Sequence, residues 1–258
     1  MADVLVFCYY AVSDRWEAAL SVTPAALRRQ LTLLLSRGWV GATFTEAVTS
    51  PPAARTLAVT FDDGFDSVRT HAAPLLDELG LPATVFVPTD WPGRAMRWPG
   101  LEHWADTPFA DELQAMSWDE LRALSARGWE IGAHTCSHPH LSQLDGTAVE
   151  QELSEGRATC ERQIGRPCGS VAYPFGDATQ RILAAAEAAG YEAGAGLFQR
   201  ALAAPDRLEW PRVGVWHDDH DWRFRLKTSA AVSVMRGARS RNAIQRIRTP
   251  SARRPTPV

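Results

Sequence analysis

The chain is poor in several features that would assign a protein to a class at once. No apolar run approaches the roughly 18 residues of a membrane span, which excludes a helical integral membrane protein. The start, Met1-Ala2-Asp3-Val4, lacks the basic region of a signal peptide, and the short apolar stretch 4–12 reads as a strand. A cytoplasmic location is therefore the expectation. There are four cysteines, Cys8, Cys136, Cys160 and Cys168, and none stands in a CxxC pair. That spacing offers neither a zinc ribbon nor a dense disulfide framework, so reduced thiols are expected. No GxGxxG or Walker loop is present to hold a nucleotide.

Charge is missing in one place as well. Residues 227–258 hold Lys227 and seven arginines but no acidic residue. The whole chain has 27 basic and 30 acidic side chains, so residues 1–226 keep 19 basic against 30 acidic and carry about −11. An acidic body followed by a basic, Ser-, Pro- and Arg-containing tail divides the chain at 226. The tail is expected to be disordered or loosely helical. It lacks the interleaved aromatics of a nucleic-acid binder, and no nucleic acid is expected as a partner.

At 258 residues the chain fits one domain of barrel size. Strand-like and helix-like stretches alternate almost throughout. Strands are expected at 4–10, 56–62, 83–88, 170–174 and around His134, with weaker ones from 191 and at 212–216. Thr23-Pro24 opens a helix that Gly38 closes. A helix is expected over 68–79, and Ser117 with Glu120 reads as a capping box for the next. Thr147 with Glu150 reads as another, for a helix to about 164, and a further helix is expected over 178–189. Leu31, Leu34 and Leu35, and Leu75, Leu76 and Leu79, form core-facing stripes. The stretch 90–116 is irregular and rich in tryptophan: Trp91, Trp98 and Trp104 either stack on sugar rings or line the loop from within. Repeated βα units imply a parallel sheet with helices outside.

The chemistry is concentrated in two places. Thr60-Phe61-Asp62-Asp63-Gly64 follows the apolar run Leu57-Ala58-Val59, so two carboxylates arrive at a strand end. Side chains alternate along a strand, and the two must part, one able to hold a metal and the other to move protons. The second place is His134-Thr135-Cys136-Ser137-His138. On a helical turn that spacing would put two imidazoles on one face, in reach of one cation. One Asp and two His leave coordination positions open, as in a catalytic site. The residues alone leave open which Asp does which.

These stretches resemble the motifs of the polysaccharide deacetylases, the NodB-homology domains of carbohydrate esterase family four. TFDDG stands at Thr60 to Gly64, H-[ST]-x-x-H at His134 to His138, and a third motif at Val171-Ala172-Tyr173-Pro174-Phe175-Gly176. The resemblance covers about residues 4–226. It implies a distorted (β/α)7 TIM-like barrel of the α/β class. It further implies that Asp63, His134 and His138 hold a divalent metal, zinc first and cobalt or nickel otherwise. Asp62 is implied as the base, and the backbone N–H of Phe175 as an oxyanion donor beside Pro174. The implied substrate is an N-acetylated sugar or glycan, with oligomeric state open.

Two departures from the family matter. The third motif lacks its usual Arg, with Ala172 or Tyr173 in that region, and Arg212 is the candidate to orient Asp62 instead. The family's proton-donating His is also absent: no Leu-His strand follows 226, and Tyr10 stands where a subgroup has Tyr-His. Tyr10 is the nearest candidate for that role, with His140 and His217 as others. A phenol of pKa about 10 suits neutral proton transfer poorly. The expectation is a slow metal-dependent N-deacetylase. A deacylase of another small amide, or a degenerate binding module, is the alternative.

Overall fold

The computed structural model describes residues 3–197 and 206–228. From Ser229 onward the basic tail lies outside the described residues, so the expectation about it has no structural counterpart here. Lys227 is the last residue of a helix.

The strands are β1 (Asp3–Tyr9), β2 (Ala11–Val12), β3 (Ser21–Val22), β4 (Val40–Ala42), β5 (Arg55–Phe61), β6 (Thr84–Val87), β7 (Glu130–Ala133), β8 (Ser170–Ala172), β9 (Ala193–Ala195) and β10 (Val213–Gly214). The helices are α1 (Pro24–Leu35), α2 (Phe44–Thr49), α3 (Ala73–Glu78), α4 (Trp118–Ala126), α5 (Gly146–Ile164), α6 (Gln180–Ala188) and α7 (Asp221–Lys227). Aside from the small pair β2–β3, the strands form one parallel sheet in the order β10-β1-β5-β6-β7-β8-β9, with β4 also on β5. Both faces are covered, so strands read as apolar runs rather than as alternations.

The sheet curls into a distorted barrel. Strand β5 shares one whole edge with β1, from Asp3 opposite Arg55 to Tyr9 opposite Phe61. Its other edge is divided: β4 takes residues 56–58 and β6 takes only 60 and 61. At the far side a single bridge joins Ala195 to Trp210, after which Val213 and Gly214 pair with Phe7 and Cys8. The segment from Leu208 to Gly214 thus spans from β9 back to β1.

The interior is stacked along the barrel axis. Glu130 accepts hydrogen bonds from Thr45, Thr84 and Ser170, tying α2, β6, β7 and β8 together at one level. The small apolar cluster comes next, with Val6, Ala58, Ala172 and Ala193 around Phe86, whose ring meets Phe44 edge-on. Space is tight: a Cβ on Gly132 would lie 2.6 Å from the Phe86 ring. Arg212 lies over Phe86 at 5.4 Å, and above it is the carboxylate of Asp62. The larger apolar cluster fills the layer between sheet and helices, where Leu31, Leu34, Leu75 and Leu76 are buried.

Local chemistry explains most helix boundaries. Thr23 caps α1 through the Ala26 N–H, with Pro24 in the first turn. Ser117 and Glu120 form the expected capping box on α4. The box expected at Thr147 and Glu150 does not form. Asp145 caps α5 two residues earlier by accepting from the Ala148 N–H at 2.9 Å. The 68–79 stretch opens as a π turn, Val68–Ala72, before α3. Pro74 has no N–H to return to the preceding turn, which favours the wider winding there. The sequence pattern did not indicate β4 and α2, nor the short helix α7.

Candidate metal centre

Asp62 and Asp63 follow directly on β5. The Asp62 N–H still donates to the Tyr9 carbonyl, continuing the ladder by one bond. Asp63 then turns out of it, with a left-handed φ of 70°. That break lets the two adjacent carboxylates face different partners. The histidines sit on the loop after β7 rather than on a helical turn. They converge because Thr135 and His138 also take left-handed φ, 65° and 66°. With Phe175 at 58°, these are all the non-glycine residues of positive φ among those described. Such conformations cost of order 1–3 kcal/mol each and persist only where surroundings impose them. The strain is gathered in one place.

Asp63 Oδ1 lies 3.4 Å from Nε2 of both His134 and His138. All three side chains are buried, and their ligand atoms lie within 4.8 Å of one another. The Asp63 oxygen has no hydrogen-bond partner in the protein. At His134 the Nδ1–H donates to the Ala172 carbonyl at 2.8 Å, since that oxygen can only accept. The Nε2 lone pair is thereby turned toward Asp63, the tautomer a metal-ligating imidazole uses. An orphaned buried carboxylate oxygen facing two imidazole nitrogens fits a divalent cation of the zinc type.

Without a cation, the three groups bias one another. Burial pushes the Asp63 carboxyl up, but the adjacent His134 and His138 imidazoles outweigh it and hold it well below the usual range. For His134 burial pulls down, yet the adjacent Asp63 carboxylate and the charge of Asp62 leave it raised. His138 stays lowered because burial prevails over Asp63.

The second carboxylate is clamped. Arg212 is 0% exposed in its side chain and grips Asp62 with two bonds, 2.6 Å to Oδ1 and 2.8 Å to Oδ2. It also donates to Thr60 Oγ1 and to the Gly196 carbonyl. Cys8 adds a weak thiol donor to Asp62 Oδ2 at 3.3 Å. Burial opposes the guanidinium charge, but the Asp62 carboxylate more than restores it and raises its pKa.

The remaining candidates lie around these groups. Tyr10 is buried and stacks on Trp216 at 5.5 Å. Burial, followed by the charges of Cys8, Asp62 and Asp63, pushes its phenol well above 10. Pro174 is buried, and Phe175 meets His138 edge-on at 4.9 Å. His140 stacks on Phe175 at 3.7 Å, its Nδ1 3.6 Å from Asp177, so it is less free than a solvent-facing loop residue. His217 is drawn away to the Ser21 carbonyl. Cys136 stays half-buried, its N–H donating to Glu152. Trp98 lies flat against His138, with ring centroids 4.3 Å apart, and Trp91 meets Trp98 edge-on. Trp104 packs on Trp16 and Phe109. These tryptophans line the loop from within, and nothing in their spacing singles out the one that touches a metal-site histidine.

Comparison with known proteins adds to this geometry. The family model described as polysaccharide deacetylase matches residues 49–194, a stretch that contains Asp62, Asp63, His134, His138, Pro174 and Phe175 but neither Tyr10 nor Arg212. A curated relative is YxkH of Bacillus subtilis (strain 168), named as a candidate polysaccharide deacetylase. It is 24% identical over 143 residues, which is 55% of this chain and 45% of the relative. The chain thus spans less than half the length of that protein. Among solved structures, the Streptococcus pyogenes deacetylase PplD in complex with acetate superposes with a TM-score of 0.72 at 20% identity, covering 88% of this chain and 99% of that one. IcaB from Ammonifex degensii does so at 0.71 and 22% identity, covering 92% and 98%. At such identities the likeness is one of fold.

Proposed function

The chain belongs to the polysaccharide deacetylase family, and from that premise we propose that it is a metal-dependent hydrolase that removes an N-acetyl group from an amino sugar or an N-acetylglucosamine-containing glycan. One observation carries the reading. A buried Asp63–His134–His138 cluster with an orphaned oxygen lies beside a second carboxylate that is clamped rather than coordinating.

In this reading Asp63, His134 and His138 hold a divalent ion, zinc first and cobalt or nickel otherwise. Such an ion supplies Lewis-acid polarisation of the acetamide carbonyl and of water. Asp62 receives the proton of the attacking water. A carboxylate offers about four acceptor sites. At Asp62 three are taken, by the two Arg212 donors and by Cys8, which leaves one on Oδ1 uncommitted among the described residues. Arg212 therefore holds the group in one orientation, with a single acceptor site left to take a proton. The backbone of Phe175, held in its left-handed turn, supplies the oxyanion donor, and Pro174 fixes the approach to that turn.

The leaving nitrogen needs a proton, and no imidazole stands at Tyr10. The proton gained by Asp62 is returned to the departing amine, while Tyr10 offers a hydrogen bond from a phenol too weakly acidic to transfer one readily. That weak acid also supports a second reading, a carbohydrate-binding module that keeps the ion with little turnover. We further propose a small sugar in the cytoplasm as the working substrate and setting, to be checked by substrate range and cell fractionation.

The test is acetate release from N-acetylglucosamine oligomers and small N-acetylated sugars by zinc- or cobalt-loaded protein, beside Asp62→Asn. The expected outcome is metal-dependent release that falls at least about 100-fold in the variant, the size of a general-base contribution. Stoichiometric metal with no acetate from any substrate would favour the binding module.

A further inference from the structure

The two metal-site histidines are held by different means. His134 is oriented by a hydrogen bond, Nδ1–H to the Ala172 carbonyl of β8. His138 has no such anchor: its Nδ1 is buried and without a hydrogen-bond partner. Its backbone N–H donates to Thr135 Oγ1, which secures the loop but not the ring. Besides Asp63 Oδ1 at 3.4 Å and His134 edge-on at 4.9 Å, two aromatic side chains constrain that ring among the described residues. Trp98 stacks on it at 4.3 Å and 25°, and Phe175 meets it edge-on at 4.9 Å. An imidazole free to rotate about its side-chain bonds would point Nε2 away from Asp63 for part of the time.

Trp98 comes from the long connection between β6 and α4, and that connection is not loose. It is tied by antiparallel bridges, Ala95 to Gln114 and Ala115 to Phe65, the latter beside the Asp-Asp-Gly turn. The Met116 N–H donates to the Gly64 carbonyl, and the Gly93 N–H to that of Met116. Trp91 meets Trp98 edge-on at 5.2 Å and donates weakly to the Ser137 carbonyl. The indole is therefore fixed relative to both halves of the site.

We propose that Trp98 is a positioning residue for the metal centre: its indole face takes the place of the missing outer hydrogen bond and holds the His138 ring with Nε2 toward Asp63. This rests on the metal-site reading, and the test keeps the two apart. Outer partners of a ligating histidine contribute about 10- to 100-fold in metal affinity. Stacking of this kind depends on a flat face, not merely on bulk.

The experiment is titration of chelator-stripped protein with Zn2+ by calorimetry and with Co2+ by visible absorption, for wild type, Trp98→Phe, Trp98→Leu and Trp98→Ala. Thermal melting of each metal-free protein runs alongside. Wild type is expected to bind one ion. Trp98→Phe should stay within a few-fold of it, while Trp98→Leu and Trp98→Ala should bind about 10- to 100-fold more weakly with an altered Co2+ band. If Trp98→Ala does not fold, the Phe and Leu pair decides. Equal affinities for Phe and Leu, or unchanged affinity in Ala, would overturn the positioning role. Failure of wild type itself to bind would overturn the metal reading before any variant is considered.

Discussion

Asp63 is the residue on which the others depend. Its carboxylate works against burial at two imidazoles with opposite outcomes, His134 raised and His138 lowered from the ordinary 6.5. Burial alone would lower both, and at His134 the carboxylates of Asp63 and Asp62, with the Ala172 carbonyl, reverse the sign. A raised histidine contributes stability that is fully present below its unfolded value and is lost as pH rises through its folded value. In metal-free Asp63→Asn the support is removed and burial prevails. The His134 pKa should fall below its wild-type value, and that stability should vanish, both read by NMR titration and by melting across pH 5–8. An unmoved His134 would show that Asp62 and the Ala172 carbonyl suffice. The carboxylates and imidazoles were legible in the sequence because their types and spacing are chemical. The backbone that brings them together was not. Asp63, Thr135, His138 and Phe175 all adopt left-handed angles, and for β-branched Thr135 and bulky Phe175 the residue type argues against it, so that tertiary packing must impose them.

Among the elements, capping separates what local chemistry decides from what it does not. Around α5 two sets of polar residues compete. Thr147 and Glu150 have the spacing of a capping box, but Asp145 precedes them and takes the Ala148 N–H first. Once a helix has started, later candidates become interior residues. Asp145→Ala should therefore cost about 1 kcal/mol by urea denaturation, whereas Thr147→Ala should cost well under half of that. The reverse order would mean that the helix starts later in solution. At α4 no rival precedes Ser117, and there the local pattern and the structure agree. Strand β4 and helix α2 escaped the pattern for a different reason. Three residues of strand carry no periodicity, and their place is set by the half-edge of β5 that β6 leaves free.

At the scale of the molecule, Arg212 joins closure to chemistry. It stands between the Trp210 bridge to β9 and the pairing of β10 with β1, and it reaches inward to Gly196, Thr60 and Asp62. Breaking a buried pair by removing one partner leaves an uncompensated charge and typically costs about 3–5 kcal/mol. Arg212→Ala should lose stability on that scale by denaturation and lose most acetate release. Arg212→Lys should retain more stability but not the two-bonded grip. Wild-type turnover in Arg212→Ala would show that Asp62 needs no orientation. The βα rhythm made a parallel sheet with outer helices legible and the family resemblance implied the barrel, but its closure rests on a two-residue strand and one bridge, too short to leave a pattern. Arg212 could be suspected only because the third motif lacks its Arg.

The connection between β6 and α4 bears on redesign. Such long surface segments are the usual parts to exchange when a scaffold is retargeted, on the assumption that loops are interchangeable and the framework keeps the reactive centre intact. Here the segment is pinned to the turn after Asp63 and lays an indole on His138. Grafting a foreign loop onto this barrel would transplant two properties together, what the rim accepts and how firmly the centre is assembled, and modularity stops at Trp98.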